Sequence, residues 1–352
     1  MTAQMTTPKI FDGHNDLVLK LITGKATAEG VRDGLAGGHI DLPRARAGGF
    51  GGGFFAIFVP SPAGAFRLED FASATYDVPL PAPLDQAQAL KVTLEGVAAI
   101  EALAAAGVIE LCTTVAQIET ALAGDRMAAV MHVEGAEAIG ADLAELEGLH
   151  ARGLRSLGPV WSRPTIFAEG VPFRFPASPD IGGGLTGAGR ALVAECNRLG
   201  IMLDLSHMNE KGFDDVAALS DAPLVATHSN AWAVCESARN LTDRQLRMIA
   251  ESDGMVGINF AASFLRPDGQ MVGDVPLDMV MRHLDHLISV LGEDRVGFGS
   301  DFDGAVVPEA IGDCAGLPAL RAAMADHGVD AALMEKLAWG NWMRVLRKTW
   351  HA

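Results

Sequence analysis

The sequence predicts an α/β fold, a single (β/α)8 TIM-type barrel with long loops on its C-terminal face. Eight apolar runs recur along the chain, each ending in polar residues or glycine, and helical patterns separate most of them. Runs of this kind are typical of parallel strands that helices cover on both sides. The count of eight favours a closed barrel over an open sheet, and no Gly-x-Gly-x-x-Gly fingerprint follows the first run. No linker divides the chain, so residues 1–352 are predicted to form one domain.

The elements follow one another in a regular order. The predicted strands cover residues 9–16, 51–59, 128–134, 154–161, 201–207, 223–228, 255–260 and 295–301. Helical patterns cover residues 84–106, 141–151, 186–199, 210–219, 242–251, 277–291, 317–326 and 331–347. Two proline-containing segments, 60–83 and 162–185, are too long for simple turns, and we expect them to be loops or lids beside the barrel.

Composition and charge exclude several classes of protein. The chain is 49% hydrophobic and 20% charged, which predicts a large buried core and disfavours disorder. A net charge of −17 disfavours a nucleic-acid partner, because the phosphates would be repelled. The four cysteines are scattered without paired spacing, which predicts reduced thiols, as in proteins of a reducing compartment. With no apolar leader and no apolar segment of membrane length, a cytoplasmic protein without a membrane partner is expected.

The ends of the predicted strands carry the candidate site. In a barrel of this class the catalytic groups lie at the C-terminal ends of the strands. His14 and Asp16 end the first strand, where residues two apart point to the same side. The strand ends together supply three imidazoles and three carboxylates: His14, Asp16, Glu134, His207, His228 and Asp301.

This donor set predicts a metal centre. Imidazoles combined with carboxylates favour Zn²⁺ over Mg²⁺ or Ca²⁺, which prefer oxygen ligands alone. Six donors exceed the three that one catalytic zinc normally takes, so two Zn²⁺ ions about 3.5–4 Å apart and bridged by a carboxylate are expected. A hydroxide held between the ions would attack a carbonyl, and a remaining carboxylate would act as general base and then as general acid.

Each of these residues also has a structural interpretation. Glu134 could open a loop, and Asp301 or Asp303 could cap the following turn. Six such coincidences at one kind of position are much less probable than one metal centre. His132, Asp204 and His39 are candidate supports, since groups that bind a metal need partners that orient them.

Several motifs carry a family resemblance over nearly the full length. They are Phe-Asp-Gly-His-Asn-Asp at 11–16, Asp-Leu-Pro-Arg at 41–44, Gly-Gly-Gly-Phe-Phe at 51–55, His-Val-Glu-Gly at 132–135, Leu-Asp-Leu-Ser-His at 203–207, Thr-His-Ser-Asn at 227–230, Ala-Arg-Asn at 238–240, Val-Gly-Phe-Gly-Ser-Asp-Phe-Asp-Gly at 296–304 and Gly-Asn-Trp at 340–342. With these motifs in this order, the chain resembles the membrane (renal) dipeptidase family of binuclear zinc peptidases.

The resemblance implies a metal-ligand set. By analogy with the family, one zinc would be bound by His14 and Asp16 and the other by His207 and His228, with Glu134 bridging both.

The resemblance also implies substrate roles. Asp301 would handle the proton, and Arg239 would bind the terminal carboxylate of a dipeptide, a task that suits a bidentate guanidinium. Asn240, in the same motif, and Trp161 are predicted to contact the substrate. Family members cleave free dipeptides, often with a D-residue at the C-terminal position, and some open β-lactams. A homodimer is expected by the same analogy.

Two positions depart from the family pattern. Trp161 stands where the family commonly has a histidine that binds substrate and stabilises the oxyanion, and losing one such donor typically costs ~10²–10³ in turnover. Arg163 could supply the charge instead, the zinc ions could suffice, or the substrate could differ. Gly53 stands where the family usually has glutamine.

The expected function is therefore zinc-dependent hydrolysis of dipeptides, including L-Xaa-D-Xaa. An amidohydrolase of another class, such as an N-acyl amino acid hydrolase or a lactonase, would share the metal site without needing Arg239. A metal-containing binding protein with little turnover is a further alternative, which the presence of both Asp301 and Arg239 disfavours.

Overall fold

A computed structural model describes residues 8–62 and 67–350 of the chain. Parts of the predictions lie outside these described residues: the start at 1–7, where no apolar leader was expected, the loop residues 63–66, and the last two residues of the predicted domain. Within the described ranges, no helix has the length and apolar character needed to cross a membrane.

The strands and helices alternate along the chain. The strands are β1 (Ile10–Asn15), β2 (Phe50–Phe58), β3 (Tyr76–Val78), β4 (Ile109–Leu111), β5 (Met127–Glu134), β6 (Leu154–Gly158), β7 (Phe173–Phe175), β8 (Met202–Leu203), β9 (Val225–Ala226), β10 (Met255–Asn259) and β11 (Val296–Gly299). The helices are α1 (Leu17–Ile22), α2 (Ala28–Asp33), α3 (Leu42–Gly48), α4 (Gln86–Ala105), α5 (Val115–Ala123), α6 (Ala144–Ala151), α7 (Gly187–Leu199), α8 (Glu210–Leu219), α9 (Asp243–Glu251), α10 (Ala262–Leu265), α11 (Leu277–Leu291), α12 (Leu317–Asp326), α13 (Ala331–Glu335) and α14 (Asn341–Thr349).

Eight parallel strands form the barrel, which confirms the predicted fold class. Neighbouring strands follow the order β8, β6, β5, β2, β1, β11, β10, β9. A parallel bridge between Asp204 and Val225 closes the ring, and the Leu205 N–H donates to the Val225 carbonyl at 2.8 Å. Each of the eight predicted runs overlaps one strand of this ring, and β2 and β5 begin one residue before the predicted start.

Three short strands were not predicted. β4 pairs with the first residues of β5, beside the barrel strand β6. β3 and β7 pair antiparallel to each other, and they come from the two segments predicted as loops. Strands of three residues joined across about a hundred positions leave no local periodicity in the sequence.

Some helices were also missed or drawn as one. α5 begins with a capping box, in which Thr114 accepts from the Gln117 N–H and Gln117 accepts from the Thr114 N–H, so its start signal was readable. The predicted helix 331–347 is α13 and α14 with a π-helical turn, Lys336–Gly340, between them.

Trp342 of α14 joins this end of the chain to the barrel. The indole is fully buried, donates to the Phe298 carbonyl at 3.2 Å and packs against Phe54 with ring centroids 5.3 Å apart. A Cβ at Gly13 would lie 2.6 Å from the Trp342 ring, so this close packing requires glycine. A cluster of side chains from β1, β2, β5, β8, β9 and β10 packs with Trp342. This apolar layer supports the polar groups at the strand ends.

His283 is a buried histidine of α11, away from the strand ends. Its Nδ1 accepts from the Ala231 N–H at 3.2 Å, and its Nε2 lies 3.1 Å from the Leu265 carbonyl oxygen. The ring is therefore neutral, with its hydrogen on Nε2. Burial lowers the pKa of His283 to about 4.

We expect His283 to make the protein less stable in acid. In the unfolded chain His283 takes up a proton at a pH of about 6.5, but in the folded protein it does so only at a pH of about 4. The contribution of the neutral ring to the free energy of unfolding is therefore complete above a pH of about 6.5 and is lost as the pH falls toward 4. The loss is about 3 kcal/mol at most. Urea unfolding of wild type and His283→Gln between pH 7 and pH 4 measures it. The difference between the two proteins should change with pH, and a constant difference would contradict the assignment.

Candidate metal and substrate site

The six predicted side chains lie together at the C-terminal end of the barrel. Glu134, the last residue of β5, lies between the others. Its Oε1 is 3.2 Å from His207 Nε2 and 3.5 Å from His228 Nε2, and its Oε2 is 3.7 Å from His14 Nε2. The ligand atoms of Glu134, His207 and His228 lie within 4.8 Å of one another. They are close enough to surround one cation.

A second group lies on the other side of Glu134. Asp16 Oδ2 is 3.4 Å from His14 Nε2, and Asp301 completes a set of ligand atoms within 4.8 Å of one another. The rings of His14 and His228 stack with centroids 3.8 Å apart, which joins the two groups. Gly304 keeps the space open, because a Cβ there would lie 2.1 Å from Asp16 Oδ2 and 2.7 Å from Asp301 Oδ1.

Two of these residues have an unusual backbone. His207 has φ 65° and Asp301 has φ 59°, in the left-handed region that non-glycine residues rarely adopt. Such conformations cost about 1–3 kcal/mol and persist where the surroundings impose them. The His207 carbonyl accepts from the Val171 N–H at 2.8 Å, and the Asp301 N–H donates to the His14 carbonyl at 3.0 Å. The surrounding hydrogen bonds therefore hold both residues in a costly backbone conformation at the strand ends.

A hydrogen-bonded chain fixes the tautomer of His228. Asp204 Oδ2 lies 2.5 Å from Thr227 Oγ1, which lies 2.8 Å from His228 Nδ1. Burial would raise the pKa of Asp204, but His132 and hydrogen bonds from Thr227 and Ser206 hold it below its ordinary value. The carboxylate can only accept, so the hydroxyl donates to it and accepts from Nδ1–H. The lone pair of His228 is then on Nε2, which faces Glu134.

The remaining predicted supports contact the site indirectly. His132 Nδ1 lies 2.9 Å from Ser156 Oγ, and its Nε2 lies 3.6 Å from Asp204 Oδ2. His39 Nδ1 accepts from the Asp303 N–H at 2.8 Å, and Asp303 Oδ1 accepts from the His39 N–H at 2.7 Å. His39 thus holds the turn that follows Asp301.

Sequence reasoning missed three polar partners. Ser162 Oγ lies 2.9 Å from His207 Nδ1, and Asn259 Nδ2 donates to Asp301 Oδ2 at 2.9 Å. Thr227 is the third. Thr227 directly precedes a predicted ligand in the sequence, and Asn259 belongs to a predicted strand end, so position alone could have suggested both.

The electrostatics of the cluster suit divalent cations. Burial raises the pKa of Glu134 to about 8, with Asp16 and Asp301 adding to the rise and His14 opposing it. Burial would lower the pKa of His14, but Glu134, Asp16 and Asp301 raise it to about 10. Burial lowers the pKa of His228 well below its usual value, so that ring is neutral. Its Nε2 lone pair and Glu134 Oε1 face each other at 3.5 Å. Cations between these groups would relieve the repulsion among the three carboxylates and the repulsion between the His228 lone pair and Glu134. The residues therefore fit a metal pair.

Arg239 and Asn240 lie beside this cluster, in the loop after β9. Arg239 is 3% exposed and donates to Ser229 Oγ at 2.9 Å and to the His228 carbonyl at 3.0 Å. Its Nε–H has no partner among the described residues, and no carboxylate of that part of the chain pairs with it. Asn240 instead donates to the carbonyls of Cys235 and Phe264, both at 2.9 Å. These hydrogen bonds hold the loop, and the substrate contact of Asn240 stays a prediction.

A cavity of about 300 Å³ opens onto the cluster. Its polar lining includes Asp16, Glu134, His207 and Asp301. Its apolar lining includes Phe58, Phe71, Trp161, Phe173, Phe264 and Met271. Trp161 belongs to this lining, with its ring centroid 5.7 Å from that of His207, and its contact with substrate stays a prediction.

The structure excludes one interpretation of the Trp161 departure from the family pattern and explains the Gly53 departure. Arg163 does not supply the charge of a missing histidine: it is wholly buried, and its guanidinium donates to Glu137, Ser61 and the Val59 carbonyl. A Cβ at Gly53 would lie 2.1 Å from the Asp12 carbonyl oxygen, so glycine is required there by the packing of β1 against β2.

Comparison with known proteins gives consistent results. The sequence profile of the membrane dipeptidase family, peptidase family M19, matches residues 1–352. A metallopeptidase from Rhodobacter sphaeroides, solved with a phosphinate mimic of the dipeptide L-Ala-D-Ala, is 57% identical, with a TM-score of 0.95 over 98% of this chain and 100% of its own. The structure of dipeptidase AC, of family M19, is also 57% identical, with a TM-score of 0.96 over 99% of this chain and 100% of its own. An uncharacterized protein in the pqqA 5′ region of Klebsiella pneumoniae is 47% identical over 245 residues, 70% of this chain and 90% of its own.

We predict that Thr227→Val weakens metal binding about 10–100-fold, as loss of a group that orients a ligand typically does. Valine keeps the shape of the side chain but removes the hydroxyl between Asp204 and His228. Competition with a chromophoric chelator measures the Kd for Zn²⁺. Thr93→Val is the matched control, because Thr93 is a buried threonine of α4 whose hydroxyl has no partner in the described chain. Equal Zn²⁺ affinity in the two variants would contradict the role of Thr227.

Proposed function

This chain belongs to the membrane dipeptidase family, peptidase family M19, and we propose that it hydrolyses the peptide bond of free dipeptides with two bound Zn²⁺ ions. Members of this family are metallodipeptidases, and the proposal adds the identity of the metal, the roles of single residues and the stereochemistry of the substrate. One observation carries these roles most directly. Arg239 is a buried guanidinium without a carboxylate partner in the described chain, directly beside the metal-binding cluster. A dipeptide provides the missing carboxylate one residue away from its only peptide bond.

The candidate ligands divide as their distances suggest. His14 and Asp16 would hold one ion, His207 and His228 the other, and Glu134 would bridge them. When bound, such a pair lowers the pKa of water and polarises a carbonyl group.

The chain's own residues would position the substrate. Arg239 is held by Ser229 and the His228 carbonyl, so its remaining N–H groups are fixed in direction. A guanidinium in this state binds a carboxylate strongly, because little freedom is lost on binding. The cavity of about 300 Å³ is at the lower end of the usual range for ligand sites, which suits a dipeptide better than a longer peptide.

Asp301 is the proposed general base and acid. It lines the cavity, and the Asn259 amide donates to its Oδ2 at 2.9 Å. This hydrogen bond leaves the other carboxylate oxygen to accept a proton from water and to return it to the leaving amine.

The stereochemical part of the proposal rests on a relative. The Rhodobacter sphaeroides metallopeptidase, 57% identical, was solved with a mimic of L-Ala-D-Ala. We extend to this chain the acceptance of a D-residue at the C-terminal position. Homodimer formation and a cytoplasmic location stay predictions.

We predict that removal of metal abolishes hydrolysis and lowers stability. Zn²⁺ at 100 times its Kd should add about 2.7 kcal/mol to the free energy of unfolding, provided the unfolded chain does not bind it. A panel of L-Xaa-L-Xaa and L-Xaa-D-Xaa dipeptides, assayed with chelator-stripped and Zn²⁺-reloaded protein, measures activity, and thermal unfolding measures stability. Mass spectrometry of the reloaded protein should find two ions per chain. Full activity of metal-free protein would refute the metal role.

We predict that Arg239→Ala lowers kcat/KM for dipeptides, mainly by raising KM, because the substrate carboxylate loses its partner. The loss of transition-state stabilisation should be about 2–5 kcal/mol. Arg321→Ala is the matched control, because Arg321 is also buried but donates to the carbonyls of Gly48 and Gly49. These residues precede β2, at the end of the barrel opposite the cluster. Zn²⁺ content is checked in both variants. A lactone substrate separates the alternatives, since a lactonase should scarcely respond to Arg239→Ala. Unchanged dipeptide kinetics would contradict carboxylate binding by Arg239.

A further inference from the structure

We propose that Phe58 and Trp161 form the wall that receives the side chain of the dipeptide's N-terminal residue, and that the buried pair Glu137–Arg163 holds this wall in position. The enzyme would then prefer dipeptides with a large apolar N-terminal residue over those with a charged one. This inference rests on the proposed dipeptidase function and narrows its substrate class.

The wall is a pair of aromatic rings from two neighbouring parts of the barrel rim. Phe58 is the last residue of β2, and Trp161 follows β6. Their ring centroids lie 4.8 Å apart, and both side chains line the cavity. Phe173 extends the surface, with its ring centroid 5.5 Å from that of Trp161. A surface of this kind favours an apolar side chain and disfavours a charged one, which would lose its water. Arg67 also lines the cavity, but its guanidinium already pairs with Asp70 at 3.4 Å.

The order of the strands assigns this wall to the N-terminal residue. Arg239 follows β9, and its guanidinium lies 5.6 Å from the ring centroid of Phe264, which follows β10. Around the barrel, β9 and β10 are opposite β2 and β5. With the carboxylate of the substrate at Arg239 and the scissile bond at the metal-binding cluster, the residue beyond that bond extends toward Phe58.

Arg163 lies directly behind the two rings. Its guanidinium carbon is 5.5 Å from the ring centroid of Phe58 and 5.7 Å from that of Trp161. It donates to Glu137 Oε1 from Nε at 2.8 Å, to Ser61 Oγ at 2.8 Å and to the Val59 carbonyl at 2.9 Å. One buried side chain therefore ties together the segments that follow β2, β5 and β6.

Stability alone does not account for this pair. A buried ion pair can often be replaced by apolar residues of similar volume without loss of stability. Glu137 is almost wholly buried, and its Oε2 has no hydrogen-bond partner within the described residues, so the pair is not optimised as a network. What it provides is a fixed position for both rings, since each ring stacks on the same guanidinium. Arg163 and Glu137 are thus positioning residues.

The wall is tested with Zn²⁺-loaded protein and three substrates, Leu-Ala, Gly-Ala and Asp-Ala. We expect kcat/KM for Leu-Ala to exceed that for Asp-Ala by about 100-fold or more. Trp161→Ala and Phe58→Ala should each lower kcat/KM for Leu-Ala about 10–200-fold and lower that for Gly-Ala by less, because glycine has no side chain to lose contact. Equal losses on Leu-Ala and Gly-Ala would overturn the assignment.

The positioning role of the Glu137–Arg163 pair, called the brace below, is tested with two variants. The double variant Glu137→Leu/Arg163→Met removes both charges together, and Arg163→Lys keeps the positive charge. We expect the double variant to fold with its Zn²⁺ content intact, with a raised KM for Leu-Ala and a reduced ratio of Leu-Ala to Asp-Ala. Arg163→Lys should recover part of that ratio. If the pair is only structural, Tm changes while the ratio does not, and the brace is refuted. If the double variant fails to fold, the substrate ratio of Arg163→Lys decides in the same way.

The outcomes separate this inference from the function beneath it. If wild-type protein cleaves no dipeptide, the proposed function fails and the wall fails with it. If it cleaves Leu-Ala and Asp-Ala equally well, the dipeptidase assignment stands and the wall alone is refuted.

Discussion

The central constraint on this molecule is the burial of three carboxylates and three imidazoles at one end of a barrel. Glu134 lies between two sets of ligand atoms and approaches three histidine nitrogens within 3.7 Å. Burial, together with Asp16 and Asp301, raises the pKa of Glu134, whereas the three carboxylates raise the pKa of His14 against the effect of its burial. Bound cations would compensate the buried negative charge and leave the carboxylates ionised, whereas protonation would remove the charge that holds a cation. The positive φ values of His207 and Asp301 indicate that the surrounding structure imposes this arrangement.

The barrel meets this constraint by surrounding the charged groups with hydroxyl and amide partners. Thr227 and Ser162 contact the outer nitrogens of His228 and His207, which leaves the inner nitrogens directed at Glu134. Asn259 holds Asp301 by one oxygen. Beneath these groups the apolar layer with Trp342 keeps the floor of the site rigid, since a well-packed interior resists displacement. Orientation therefore comes from residues that would not bind a metal themselves.

The sequence was sufficient for features that follow from local patterning. Eight apolar runs predicted the eight barrel strands, and the strand ends predicted which six side chains meet, because parallel strands in a barrel all end at one rim. Contacts between distant segments were beyond reach: the β3–β7 pair and the partners of Arg163 depend on how two long segments fold over the rim. Asn240 shows the same limit, since a motif next to Arg239 could not reveal that its amide bonds to Cys235 and Phe264.

The cavity lining combines carboxylates and an imidazole of the metal-binding cluster with aromatic side chains, and in the proposed function this combination has a consequence for selectivity. In the proposed function Arg239 would bind any C-terminal carboxylate, so it would distinguish free dipeptides from capped ones but not one dipeptide from another. Discrimination among side chains would then come from the wall formed by Phe58 and Trp161, where the resemblance to the family leads one to expect a histidine at position 161. An indole cannot donate to an oxyanion from its ring face, but it offers far more apolar area than an imidazole. Under the proposed function, Trp161 would therefore serve the recognition of an apolar side chain and would not stabilise charge.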